Sequence, residues 1–274
     1  MKDAPFLPAP FPEWGHRVRA AFTTRRGGGA SGGAYSDLNL GFRSGDDPAA
    51  VARNWDSVLG MTGLRGKTLV MPRMVHGDAF VDADALQEPA GDGLPDDPGM
   101  FPQDLSGLRR LEPENADALW SQSPQRVLAV TMADCLTALL FDPDTGTIAA
   151  VHAGWRGTRA HILEKTLRFL ADTGRIRTAS ALIAFGPCLR PEALEVGAEV
   201  AAQLEPEFLI RSGGRTCFDM PASNRAQALA IGIPAANIRD PGGCTLTDPE
   251  RFFSYRRDGR ASGRLAAFIS LIGT

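Results

Sequence analysis

The stretch from Val127 to Gly157 reads VLAVTMADCLTALLFDPDTGTIAAVHAGWRG, and it alternates short apolar runs with polar residues. Apolar runs of about four to eight residues bounded by turn signals are typical of buried strands. The segment from Asp142 to Gly146 carries the residue types of a tight turn. The stretch therefore predicts three buried strands, at Val127 to Thr131, Ala138 to Phe141 and Ile148 to Val151.

The same kinds of pattern extend along the rest of the 274-residue chain. Apolar runs predict further strands at Val18 to Thr23, Thr68 to Val75, Ala181 to Phe185 and Leu265 to Ser270. Helical periodicity predicts a helix that begins near Asp46 to Pro48, with Val51, Trp55, Val58 and Leu59 inward, and others at Thr158 to Leu170, Glu192 to Leu204 and Pro221 to Ile231. Because strands alternate with helices and also pair through tight turns, we predict a single α+β (mixed α/β) domain with mixed sheets.

One region interrupts this pattern. From about Asp82 to Asn115 the chain is rich in Asp, Pro and Gly and has weak periodicity. A loop of this length is typical of an insertion, a lid or a disordered segment. We predict an acidic, Pro/Gly-rich insertion loop at approximately residues 84–114.

Composition excludes several classes of protein. The formal net charge of -3 gives no electrostatic reason to expect nucleic acid as a partner. No stretch is apolar over membrane-spanning length, and the N-terminal residues lack the apolar core of a signal peptide. We therefore expect a cytoplasmic protein without a membrane partner. The cysteines form no CxxC pair, and we expect free thiols at Cys135, Cys188, Cys217 and Cys244.

Three side chains with metal-binding chemistry follow predicted strands. Cys135 ends the Ala-Asp-Cys triplet after one strand, His152 ends another, and His76 lies in a strand-to-turn context. One thiolate and two imidazoles suit a metal with an open position, or a Cys–His nucleophile pair. The wide spacing differs from that of a zinc finger. Cys188 and Cys244 remain possible fourth ligands, whereas His161 is expected to be solvated and His16 structural.

Two arginines are candidates for anion binding. Arg156 lies in a Gly-Trp-Arg-Gly turn that leads into a helix, where backbone N–H groups attract anions. Arg25 lies in the glycine-rich loop from Thr24 to Gly33, and its guanidinium suits phosphate. Asp134 could transfer protons or orient a metal ligand, or it could simply cap a turn or helix.

Ordered motifs that run almost from end to end carry a family resemblance. They read TTRRGG, SDLNLG, GDDPAAVARN, VHG, ADAL, TMADCLTALLFD, IAAVHAGWRG, FGPCL, CT and FFSYRRDGRASGR. On these motifs the chain resembles the YfiH-like family, also called the laccase-domain or peptidoglycan editing factor family. The resemblance implies a four-layer α/β/β/α fold and a zinc-binding catalytic set of His76, Cys135 and His152.

The resemblance also implies an activity. The expected substrates are purine nucleosides and phosphate, with phosphorolysis of adenosine, inosine, guanosine or methylthioadenosine and deamination of adenosine. Asp134 joins the expected catalytic residues, and Arg25, Arg156 and Asn39 are the expected substrate- or phosphate-binding residues. Two positions depart from the family: Met74 replaces a usual Gln, and Trp55 replaces a common Arg. If that Arg holds phosphate, phosphorolysis is expected to be weak here, and Trp55→Arg is expected to raise it.

Three other functions stay open at the level of sequence. A metal-free Cys–His hydrolase could act on peptidoglycan-related amides. A polyphenol oxidase could bind copper at the same residues, although multicopper oxidases need many histidines and this chain has four. A non-enzymatic envelope-associated protein could use the acidic loop as its binding surface. The oligomeric state is not indicated by the sequence.

Overall fold

The computed structural model of the chain describes residues 4–87 and 108–273. The strands in these residues are β1 (Val18–Phe22), β2 (Thr68–Val70), β3 (Phe80–Asp82), β4 (Arg110–Leu111), β5 (Ala118–Ser121), β6 (Arg126–Met132), β7 (Leu136–Asp142), β8 (Thr147–Ala153), β9 (Leu182–Phe185), β10 (Leu209–Ser212), β11 (Arg215–Phe218), β12 (Ile238–Arg239) and β13 (Leu265–Leu271). The α-helices are α1 (Pro48–Thr62), α2 (Trp155–Arg159), α3 (Ile162–Asp172), α4 (Ala198–Ala201), α5 (Met220–Ala230) and α6 (Tyr255–Asp258). No helix within these residues has the length and apolar content needed to cross a membrane.

Two mixed sheets form the centre of the fold. The first has the strand order β1-β13-β6-β2-β4, and the second has the order β12-β9-β7-β8-β5-β3. Each sheet combines antiparallel pairs, such as β7 with β8, and parallel pairs, such as β2 with β6. A separate hairpin joins β10 to β11. The predicted mixed-sheet α+β class is confirmed.

Apolar side chains divide the molecule into four layers. Between the two sheets lies a buried layer that includes Phe22, Leu139 and Phe141. Helix α1 covers the outer face of the first sheet, and α3 and α5 cover the outer face of the second. The predicted inward face of α1 is fully buried, because Val51, Trp55, Val58 and Leu59 all pack against the first sheet. The expected α/β/β/α arrangement is confirmed.

Several predicted elements are shorter than their sequence patterns suggested. The predicted helix from Glu192 to Leu204 is a 3-10 turn followed by the four residues of α4, because Glu195 pairs with Cys217 in a β-bridge and interrupts the helix. The predicted helix from Thr158 is divided into α2 and α3 at His161, whose φ of 60° is left-handed. The predicted insertion loop at 84–114 falls largely outside the described residues. Its last part contributes β4, which pairs with β2.

The chain passes from one sheet to the other through a very short connection. Strand β6 belongs to the first sheet and β7 to the second, and only Ala133, Asp134 and Cys135 separate them. Asp134 has a φ of 106°, a backbone region that non-glycine residues rarely adopt. Strand β8 then returns antiparallel to β7, so that His152 pairs with Thr137 at the same end of the sheet. This topology brings Cys135, which follows β6, and His152, near the end of β8, to one edge of the layer between the sheets.

Candidate active site

A cavity of about 750 Å³ opens at this edge. Its lining includes His76, Cys135 and His152, and also Tyr255, Arg256 and Arg264. Apolar side chains line much of the remainder, among them Met74, Met132, Trp155, Leu189, Leu194 and Met220. A largely apolar cavity with a few converging polar groups is the usual form of a small-molecule site.

The three predicted ligands meet at the cavity wall. One ligand atom from each of His76, Cys135 and His152 lies within 4.8 Å of the other two, and no other such group of ligands occurs in residues 4–87 and 108–273. The two imidazole rings are edge to face with their centres 5.0 Å apart. This donor set fits a zinc ion with an open fourth position. Cys188 and Cys244 are not members of this group of ligands.

Asp117 positions both histidines. Its buried carboxylate accepts hydrogen bonds from the backbone N–H groups of Val75, His76 and Gly77, at 2.8 to 3.1 Å. The same carboxylate lies 2.9 Å from Nδ1 of His152, which leaves Nε2 of that ring for the cavity. Carboxylates of this kind fix the tautomer and orientation of metal-binding histidines. Asp117 is the aspartate of the ADAL motif, and no local sequence pattern predicts this contact with two histidines.

The electrostatics of the cluster favour an anionic sulfur. Burial raises the pKa of the Cys135 thiol, but His152 and His76 outweigh that effect and lower it to about 6. Burial lowers the pKa of His152, whereas the Cys135 thiolate and Asp117 raise it to about 9. Burial also raises the pKa of Asp117, and hydrogen bonds from His152 and the backbone reverse this into a net decrease. A thiolate is the form that binds metals and acts as a nucleophile.

Gly154 leaves room for the thiol. A Cβ atom at this position would lie 2.8 Å from Sγ of Cys135 and 3.4 Å from Cδ2 of His76. Gly154 is also the residue that precedes α2, and its backbone carbonyl accepts the first helical hydrogen bond from Thr158. The glycine therefore lets the helix begin directly against the ligand cluster.

Asp134 is occupied by structural hydrogen bonds. Its Oδ1 accepts a bond of 2.7 Å from the Thr245 hydroxyl, and its Oδ2 accepts one of 2.6 Å from the backbone N–H of Arg256. The carboxylate thereby attaches α6 to the turn between the sheets. The N-cap of α6 is Ser254, so Asp134 supports the start of this helix without capping it. A function of Asp134 in proton transfer stays a prediction.

The predicted anion-binding residues do not converge on the cavity. Arg25 donates to the carbonyl oxygens of Ser36 and Pro249 and lies over the Phe253 ring. Arg156 is exposed and stacks on Trp155, with its guanidinium carbon 4.2 Å from the ring centre. Neither Arg25 nor Arg156 is among the residues that line the cavity, although Trp155, on which Arg156 stacks, is one of them. The assignment of both arginines to phosphate stays a prediction.

Asn39 supports the cavity without lining it. Its buried amide oxygen accepts from the backbone N–H of Arg264 at 2.8 Å and from that of Gly41 at 3.1 Å. Its amide nitrogen donates to Ser44 and Asp46. All of these contacts are internal, and through the bond to Arg264 they position a residue that lines the cavity. The assignment of Asn39 to substrate binding stays a prediction.

The cations that do face the cavity are Arg256 and Arg264. The Arg264 guanidinium is half-buried, donates to the carbonyl oxygens of Ser262 and Gly263, and lies 5.7 Å from the centre of the Tyr255 ring. Tyr255 is 48% exposed at the cavity. These residues lie in the segment FFSYRRDGRASGR, for which no function was predicted. Its density of arginines beside an aromatic residue is the sequence signal that could have indicated one.

The two departures from the family have different positions. Met74 lines the cavity. Trp55 is fully buried under the first sheet, packs against Phe268 and donates its indole N–H to the carbonyl oxygen of Leu40 at 2.9 Å. Because Trp55 does not reach the cavity, the prediction that it occupies a phosphate-binding position is wrong. An arginine introduced there would instead be buried in the core.

Comparisons with known proteins agree with this arrangement. Residues 19–272 match the family described as multi-copper polyphenol oxidoreductase laccase. The chain is 36% identical over 258 residues to a purine nucleoside phosphorylase of Deinococcus radiodurans, covering 93% of this chain and 89% of that protein. It is 35% identical over 260 residues to purine nucleoside phosphorylase YfiH of Shigella flexneri, covering 92% and 94%.

Solved structures share the fold over nearly the whole chain. YlmD from Geobacillus stearothermophilus superposes with a TM-score of 0.80 at 28% identity, covering 97% of this chain and 94% of that one. The hypothetical protein YfiH of Bacillus licheniformis superposes with a TM-score of 0.82 at 24% identity, covering 99% and 98%. The second likeness supports the fold alone.

Proposed function

The chain belongs to the YfiH-type laccase-domain family, and from that premise we propose that it is a zinc-dependent purine nucleoside phosphorylase that also deaminates adenosine. The observation that carries the proposal is the cluster of His76, Cys135 and His152 at the wall of the cavity. The names of the relatives support the choice of substrate class. Adenosine, inosine, guanosine and methylthioadenosine are the nucleosides proposed.

In this proposal the ligand residues have distinct tasks. His76, Cys135 and His152 hold the zinc, and the bond from Asp117 keeps the His152 ring in the tautomer that presents Nε2. When bound, zinc supplies a Lewis acid beside the substrate. Copper could bind to the same three residues, since imidazole and thiolate groups are ligands of both metals.

A second group of residues that line the cavity would bind the substrates. Arg256 and Arg264 are the cations that face the cavity, and guanidinium groups bind phosphate through paired hydrogen bonds. The exposed ring of Tyr255 offers a flat surface for a purine base. Since phosphorolysis requires phosphate next to the ribose, we propose Arg264 as the principal phosphate contact. Its backbone is fixed by Asn39 and its side chain is half-buried.

A metal-free Cys–His hydrolase is the second candidate. It is favoured by the interaction of Cys135 with His152, which lowers the pKa of the thiol to about 6. In that reaction Cys135 would attack an amide carbonyl and His152 would protonate the leaving amine. Metal dependence distinguishes the two candidates.

The test combines metal analysis with a nucleoside panel. Protein purified without chelator is expected to contain about one zinc per chain, to release base from inosine only with phosphate, and to release ammonia from adenosine without it. A chelated sample should lose both activities and regain them with zinc. Full activity on an amide substrate after metal removal would favour the hydrolase, and no turnover of any nucleoside by zinc-loaded protein would overturn the proposal.

A further inference from the structure

Two cysteines outside the ligand cluster lie side by side. Cys188 and Cys244 are partners in a parallel β-bridge. The backbone N–H of Cys188 donates to the carbonyl oxygen of Gly243 at 3.3 Å, and the carbonyl oxygen of Cys188 accepts from the N–H of Thr245 at 3.1 Å. Bridge partners lie about 4.8 Å apart and point to the same side of the pair. That separation falls within the Cα range that a disulfide spans.

The two thiols have contrasting surroundings. Cys188 is completely buried, and burial raises the pKa of its thiol to about 12. Cys244 is partly exposed. Burial raises the pKa of the Cys244 thiol, but the backbone N–H groups of Arg190, Leu246 and Thr247 and the Thr247 hydroxyl outweigh that effect and lower it. A partly exposed thiol surrounded by donors is the usual environment of a reactive cysteine, whereas a buried thiol is inert until a neighbour reacts.

We propose that Cys244 is a site of oxidation by hydroperoxides and that Cys188 resolves it into a disulfide. The Cys244 thiolate attacks the terminal peroxide oxygen, the O–O bond breaks, and the alkoxide or hydroxide leaves with a proton from water. The sulfur becomes a sulfenic acid, oxidised by two electrons, and the peroxide is reduced. The Cys188 sulfur then attacks the Cys244 sulfur, water leaves with the thiol proton, and the S–S bond forms.

The pair is directly connected to the turn that carries Cys135. The backbone N–H of Leu189, next to Cys188, donates to the carbonyl oxygen of Asp134 at 2.9 Å. The hydroxyl of Thr245, next to Cys244, donates to the Asp134 carboxylate at 2.7 Å. A disulfide would therefore link the two segments that hold Asp134 in place. The oxidation itself is independent of the substrate, so it can be tested apart from the proposed function.

The test follows each thiol by peptide mapping of the full chain. Trypsin places the four cysteines in separate peptides, 127–156, 178–211, 216–225 and 240–251. After treatment of the zinc-loaded protein with about one equivalent of hydrogen peroxide, we expect a 178–211 to 240–251 cross-link that dithiothreitol reverses. Dimedone, which captures sulfenic acids, should label 240–251 in Cys188→Ser but not in Cys244→Ser.

Cys217→Ser is the matched control, because Cys217 is a buried cysteine in β11 that is not paired with either residue. It should form the cross-link at the rate of the unaltered protein. Circular dichroism of all variants verifies the fold, and if Cys188→Ser unfolds, the cross-link in the unaltered chain still decides the question. Absence of the cross-link there, or dimedone labelling of 127–156 in preference to 240–251, would overturn the proposal.

Discussion

Two groups of residues that line the cavity, called here the ligand wall and the arginine wall, are built in different ways. The ligand wall (His76, Cys135 and His152) comes from strand ends and turns of the central sheets, and Asp117 holds two of its three members through one buried carboxylate. The arginine wall (Tyr255, Arg256 and Arg264) comes from the four-residue helix α6 and from the residue that precedes β13. Two of its members are exposed.

Because of this difference, we expect the ligand wall to determine the chemical step and the arginine wall to determine substrate binding. Buried, hydrogen-bonded groups lose most when one partner is removed, whereas exposed side chains adapt. In the ligand wall His152 is buried and bonded to Asp117, Cys135 is partly exposed and His76 is exposed. Chemistry that depends on the pair of Asp117 and His152 is therefore expected to be intolerant of small changes, and binding at the arginine wall is expected to be graded. Four substitutions test this comparison, in order of decreasing expected effect on zinc binding or nucleoside turnover.

Cys135→Ala is expected to have the largest effect. It removes one of three metal donors, and we expect nucleoside turnover to fall by more than about 100-fold, beyond the usual loss on changing a supporting residue. Zinc content should fall with it, while the circular dichroism spectrum stays unchanged. Cys217→Ala, a cysteine remote from the cavity, is the control and should retain both zinc and turnover. Full turnover in Cys135→Ala would remove the ligand wall from the mechanism.

Asp117→Asn should come next. The amide has one acceptor oxygen and an NH₂ group, so it cannot accept from three backbone N–H groups and from His152 together. We expect zinc affinity to fall by about 100-fold. Competition with a chromogenic chelator measures this affinity. Asp134→Asn is the matched control, and an equal loss of affinity there would mean that Asp117 has no special relation to the metal.

Gly154→Ala tests how closely the ligand wall is packed. The added methyl group would lie 2.8 Å from the Cys135 sulfur, so the thiol or the start of α2 must shift. Since a displacement of about 1 Å at a reacting centre can cost about 100-fold, we expect a loss near 30-fold in kcat/KM. Gly197→Ala, which has open space at its Cβ, should be neutral. Steady-state kinetics and thermal denaturation of both variants separate this effect from simple destabilisation.

Arg264→Lys should produce the smallest effect and should act on binding alone. Lysine keeps the charge but loses the planar pair of donors, and we expect the KM for phosphate to rise about tenfold, equivalent to about 1.4 kcal/mol, while kcat is unchanged. Arg156→Lys should leave the KM unchanged, because the Arg156 side chain does not itself line the cavity. If Arg156→Lys gives the larger rise, the original assignment of Arg156 to phosphate was correct.

Local sequence patterns predicted much of the ligand wall. Cys135 and His152 follow apolar runs that are strands in the structure, and a tight turn between β7 and β8 brings those ends together. The helical face of α1 was also predicted, because it depends on spacing within one element.

The remaining features depend on distant parts of the chain. Asp117 acts through its contacts with the turn at Val75 to Gly77, which pattern analysis cannot locate in space. Arg264 directly precedes β13, the last strand in the chain. Because β13 pairs with both β1 and β6, strands that are distant in sequence, the position of Arg264 depends on long-range contacts. Arg25 and Arg156 were predicted to bind phosphate from their local sequence context. In the structure, Arg25 contacts Phe253 and Pro249, which are distant in sequence.

The short turn between β6 and β7 makes catalytic activity sensitive to mutations in the layer between the sheets. Because Cys135 lies where the chain crosses between the sheets, a rearrangement of the layer that separates them shifts the thiol relative to His76. Truncations deep in that layer, such as Leu139→Ala or Ile269→Ala, should impair catalysis at temperatures where the protein is still folded. On heating, these variants would then lose activity before they unfold. The half-life of their activity would measure how well the layer between the sheets is packed.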